Sequence, residues 1–114
     1  MITFQKNSQT IQISYKLVVS RTFLSRLRGL MFRRSFINEA MLLSPCNSIH
    51  TFFMLFPIDV LFLDRSMRIV HLCESLQPWR IILPVPSAYT TLELPAGTIQ
   101  KYRLTRNALL EFQY

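Results

Sequence analysis

The chain has 114 residues, half of them hydrophobic, which fits one domain with its own core and excludes a disordered or linker-like protein. Thirteen Lys and Arg against six Asp and Glu give a net charge of +7, which favours anionic partners such as nucleic acid or acidic lipid without choosing between them. Two glycines exclude a collagen-like composition, and two cysteines, Cys46 and Cys73, are too few for a disulfide framework and suit a reducing compartment.

Ile2 to Phe4 reads as a short strand, turned back by the polar run 6–10 into a hairpin. Ile11, Ile13, Tyr15, Leu17 and Val19 then alternate with Gln12, Ser14, Lys16 and Val18, and that period of two predicts a half-buried strand. Ser20 or Thr22 can cap a helix over 23–28, because a short side-chain oxygen meets the free backbone N–H groups of a helix start; Gly29 suits its end. Leu30, Met31 and Phe32 are expected to return to the core ahead of Arg33 and Arg34.

Ala40 to Leu43 and Thr51 to Met54 read as short strands. Pro57 cannot donate to a ladder and marks a bend or a strand's first residue. Ile58 to Leu63 predicts a central strand, apolar on both faces except at Asp59. Asp64 to Met67 is a turn, with the aspartate where it bonds the following backbone, and Arg68 to Glu74 returns as the partner strand. Residues 76–86 carry three prolines and Trp79, which predicts an irregular loop. Tyr89 to Leu94 is a strand, Pro95 to Gly97 a turn, Thr98 a cap for a helix through Leu104, and Ala108 to Phe112 a closing strand. The expected fold is α+β, mainly β: a small closed or nearly closed, barrel-like mixed sheet with one or two short helices, in one domain over 1–114.

Several blocks occur in a specific order. They are Arg28 to Arg33 (Arg-Gly-Leu-Met-Phe-Arg), Ala40 to Leu43, Phe53-Met54 with Pro57 to Val60 and Phe62 to Asp64, and Leu92 to Gly97 (Leu-Glu-Leu-Pro-Ala-Gly). Together they resemble the family called domain of unknown function 192 from about Ser20 to the end of the chain. The resemblance implies a small, mainly β, barrel-like domain and no established activity. Phe53 stands where the family usually has tryptophan, and Arg106-Asn107 replace its late Gly-Asp, so a carboxylate role in that turn is not carried over. Many members carry a leader. The first eight residues here lack the apolar core of a signal peptide, and the apolar run from Phe52 to Leu63 is too short to span a bilayer, so a soluble cytoplasmic protein is expected.

Asp59 shares a strand face with Leu61 and Leu63. A carboxylate there is either an acid/base or ligand group, or a structural acid holding Arg28, Arg33 or backbone donors. Asp64, five residues on, points to the other face and cannot pair with it. Cys46, His50, His71 and Cys73 could supply a tetrahedral zinc set or a Cys/His nucleophile pair, but their spacing matches no finger or ribbon, and no cofactor is assigned. The expected function is non-catalytic ligand binding or an accessory role. Its pocket is expected near Asp59 and lined by Arg28, Arg33, His50, Met54, Glu93 and Gly97, with a small anionic or zwitterionic ligand. Two alternatives remain open: nucleic-acid binding through the basic stretch from Lys16 to Arg34, and a small enzyme using Asp59 or the Cys/His group.

Overall fold

A computed structural model of the chain describes residues 2–6, 8–20 and 30–112, with the backbone alone at Lys6. The helix expected over 23–28, and Arg28 with it, lie outside the described residues. The strands are β1 (Ile2–Lys6), β2 (Gln9–Ile13), β3 (Lys16–Ser20), β4 (Glu39–Leu43), β5 (Ile49–His50), β6 (Ile58–Leu63), β7 (Ile69–Leu76), β8 (Ile81–Ile82), β9 (Thr90–Pro95) and β10 (Leu110–Phe112). The short helix α1 (Thr98–Tyr102) stands between the last two.

The central sheet has the order β3-β4-β9-β6-β7. Its β3–β4 pair is parallel and its other pairs are antiparallel, the mixed sheet expected. A second sheet runs β10-β1-β2, and β5 pairs with β8. Among the described strands no sheet closes on itself, since the central one ends at β3 and β7. The mainly β character is therefore found, and the closed barrel is not. All six residues of β6 are buried, as are the first five of β9, so these strands need cover on both faces. Stacked layers supply that cover.

On one face Ala40, Leu42, Leu61, Leu63, Leu92 and Leu94 pack with Ile2, Phe4, Ile13 and Leu110 of the second sheet and with Ile99 and Leu104. On the other face Met41, Leu43, Ile58, Val60 and Phe62 are covered by Leu30, Phe36 and Met54, with Ile49, Ile82 and Val85 at the margin. The pleat explains the division, because successive side chains leave a strand on opposite sides.

Two predicted strands differ. The alternating run 11–19 breaks at Ser14-Tyr15, so β2 joins the second sheet and β3 the central one. Residues 51–57 form turns rather than a strand, with Met54 N–H donating to the carbonyl of Thr51 at 3.2 Å. The β6–β7 hairpin forms as expected. In its turn Asp64 Oδ1 accepts the N–H groups of Ser66 at 2.8 Å and Arg68 at 3.0 Å. Asp64→Ala strips both bonds from an exposed turn and is expected to cost about 1 kcal/mol, a few degrees of Tm, with Asp64→Asn recovering most of it in thermal melts.

Candidate functional site

Asp59 is 1% exposed and continues the row of Leu61 and Leu63 toward the N-terminus of α1. Its Oδ1 accepts the N–H of Ser75 and its Oδ2 the N–H of Ile99, each at 2.8 Å. Both donors need an external partner. Ser75 lies in a bulge, because Ile58 faces Leu76 while Val60 faces Cys73, which leaves two β7 residues opposite Asp59. Ile99 is in the first turn of α1, where backbone donors lack an acceptor within the helix, and the cap residue Gly97 (φ 94°) has no side chain to offer. The carboxylate thus reaches across from β6 to do a cap's work. Of the partners considered for it, the backbone donors are those found among the described residues.

The turn it secures forms one lip of an open groove of about 470 Å³, lined by Tyr15, Arg34–Asn38, Phe56, Pro57, Pro95 and Ala96. Phe36 and Phe56 stack at 6.2 Å along its wall. Arg33 pairs with Glu39 and lies over the Phe36 ring at 5.7 Å, so this cation is already engaged. Arg34 is exposed and has no acidic partner among the described residues. Tyr15 hydroxyl lies 3.2 Å from Thr98 Oγ1, which in turn donates to the Pro95 carbonyl at 2.7 Å; a chain of polar contacts therefore ties this wall to the same turn.

The residues expected to share one pocket are spread out. Met54 is buried in the second core, and His50 sits on β5 with Nδ1 accepting the Phe52 N–H at 3.2 Å. Gly97 caps α1. Glu93 is buried on the second face between Met41 and Val60, and burial pushes its carboxyl up to about 7. The groove is lined instead by their sequence neighbours. The Arg33-Arg34 pair was the available signal, but which arginine stays open depends on Glu39, which no local pattern reveals. His71 and Cys73 face Phe62 and Val60 on one side of β7, and Cys46 Sγ donates to the Ser48 carbonyl at 3.0 Å. Burial raises the Cys73 thiol. Among the described residues no three His, Cys, Asp or Glu side chains gather as metal ligands would.

Residues 2–112 match the model of the family domain of unknown function 192 (DUF192), described as "Uncharacterized ACR". A UPF0127 protein of Thermococcus kodakarensis is 33% identical over 102 residues, 85% of this chain and 64% of the relative. One from Thermococcus sibiricus is 38% identical over 86 residues, 71% of this chain and 55% of the relative. One from Pyrococcus horikoshii is 40% identical over 83 residues, 69% of this chain and 71% of the relative. The chain thus spans less than two thirds of the first two relatives. A solved protein of unknown function from Novosphingobium aromaticivorans superposes with a TM-score of 0.84 at 18% identity, over 97% of this chain and 83% of that one, a likeness of fold. A protein named as a candidate transcription regulator from Sinorhizobium meliloti superposes with a TM-score of 0.80 at 25% identity, over 96% and 90%. Among the described residues no helix is long and apolar enough to cross a membrane.

Proposed function

The chain belongs to the family domain of unknown function 192, and within it we propose a single-domain, non-catalytic ligand-binding or accessory protein whose site is the groove beside Arg34. One observation carries this reading: an arginine without an acidic partner among the described residues stands at a groove walled by Phe36, Ile37, Phe56 and two prolines. Apolar walls with few polar groups suit a small ligand, and a guanidinium selects a carboxylate, sulfonate or phosphate. The ligand is therefore a small anionic or zwitterionic molecule with an apolar body. Asp59 contributes from beneath, by fixing the segment that follows Pro95 and Ala96. We take the cytoplasm as the setting, which the two free cysteines support.

Octanoate is a suitable probe, with octanol as its uncharged counterpart. Titration followed by amide NMR should shift Ser35, Phe36, Asn38, Phe56 and Ala96 with octanoate and much less with octanol. Arg34→Ala should weaken octanoate binding about five-fold, the scale of one exposed charge pair. Equal responses to both probes, or shifts elsewhere, would reject the groove.

A second reading, nucleic-acid binding through the stretch from Lys16 to Arg34, is supported by the net charge of +7 and by the name of the Sinorhizobium meliloti neighbour. It requires retarded migration of DNA in a gel-shift assay, lost steeply as salt is raised.

A further inference from the structure

We propose that the exposed aromatic cluster Phe32, Phe53 and Trp79 is a stacking site for single-stranded nucleic acid. The rings lie outside the groove lining, and the basic-stretch reading shares with this one its ligand class and the arginines at 33 and 34. Three loops meet here. The Phe32 and Phe53 rings lie 5.2 Å apart, and Phe53 and Trp79 lie 4.7 Å apart. Trp79 also touches Phe52 at 5.6 Å, and Phe52 touches His50 at 5.1 Å, which makes a continuous series of five rings. The first three are 62%, 44% and 55% exposed, so the series is neither core nor covered.

The backbone favours a built site over stray apolar residues. Phe32, Phe53 and Trp79 all have positive φ, at 64°, 62° and 65°. Bulky side chains rarely adopt that region, and such strain concentrates at functional positions. The loops are also fastened to one another. Phe32 N–H donates to the Phe53 carbonyl at 2.9 Å, and Trp79 N–H donates to the Thr51 carbonyl at 3.0 Å. Buried Thr51 adds its Oγ1 as acceptor for the Arg80 N–H at 2.8 Å. The rings are therefore held in place before any ligand arrives, which lowers the ordering cost of binding.

Charge narrows the ligand class. The three contributing loops carry Arg33, Arg34 and Arg80; Arg33 is paired with Glu39, while Arg34 and Arg80 have no acidic partner among the described residues. Exposed rings on loops that carry unpaired arginines fit a flexible polyanion whose bases can splay out and stack. A duplex keeps its bases paired and offers these rings little. A lipid surface is the rival, since Leu55, Ile81 and Leu83 are exposed as well.

Trp79 is the chain's single tryptophan, so its emission reads the site directly. Titration of the whole chain with a short oligothymidylate should quench it. With about two phosphates neutralised, the log–log salt slope should be about −1.4. With labelled oligothymidylate, anisotropy should show Phe53→Ala binding about ten-fold more weakly at an unchanged melting temperature, and Phe32→Ala likewise. Absence of quenching would overturn the proposal. So would full-strength binding by Phe53→Ala combined with loss in Lys16→Ala, which would assign the contact to the basic stretch. A blue shift with phosphatidylglycerol vesicles, without a response to oligothymidylate, would overturn it in favour of a lipid surface.

Discussion

Asp59→Ala is expected to destabilise the domain by about 2–4 kcal/mol, because it leaves the buried Ile99 N–H and the part-buried Ser75 N–H without acceptors. Each such donor costs about 1–3 kcal/mol, and the bonds lost are to a carboxylate, the stronger kind. The two donors lie in different parts of the chain: Ser75 in the bulge of β7 and Ile99 in the first turn of α1. One truncation therefore loosens both an edge strand of the central sheet and the turn at the groove. Urea unfolding should show a lower midpoint, and octanoate binding should weaken although residue 59 does not line the groove. Asp59→Asn keeps one acceptor oxygen and points an amide at the other donor, so it should fall between. Wild-type stability in Asp59→Ala would show that the carboxylate does not hold these segments.

Glu93→Gln is expected to stabilise the protein at neutral and alkaline pH and to change little at pH 4. Burial raises the Glu93 carboxyl from an ordinary 4.5 to about 7, so the folded state holds its proton where the unfolded chain has released it. Between those values the unfolded state binds fewer protons, and wild-type stability must fall as pH rises. The loss is complete above about pH 7 and amounts to about 3 kcal/mol at 1.36 kcal/mol per unit. Glutamine has similar size and never ionises, so the difference between the two proteins isolates this group. Urea midpoints across pH 4–8 should converge at the acid end and separate at the alkaline end. Parallel profiles would contradict the assignment of burial as the cause.

Much of the architecture is legible in the chain. The β6–β7 hairpin follows from a fully apolar strand, an aspartate that bonds its own turn and a returning strand, and all three form. The alternation through 11–19 is equally regular yet serves two sheets, since a period of two fixes which face is buried and not which partner is met. Closure of the sheet is not visible from strand count. The doubly buried character of β6 and β9 points to stacked layers. Thr51 to Met54 reads as a strand by composition, but Phe53 is exposed with positive φ, which a phenylalanine does not announce.

The candidate site was legible mainly as a neighbourhood. The segments after Arg33, before Asp59 and after Glu93 do border one groove, while the described residues among those expected to line it sit elsewhere. Asp59 is conspicuous in sequence because a greasy strand has no need of an acid. Its two partners among the described residues are backbone groups 16 and 40 residues away, and no side-chain pattern encodes them. Arg33 and Arg34 are equivalent in sequence and separate only through the Glu39 pairing.

Amide hydrogen exchange at Ser75 and Ile99, followed with and without octanoate, tests most directly whether the Asp59 carboxylate is committed to the fold and the groove to binding. Both amides should exchange slowly in the free protein and remain slow when octanoate occupies the groove. Rapid exchange in the free protein, or release of either amide when octanoate binds, would mean that the carboxylate is available to ligand and that its structural role has been misassigned.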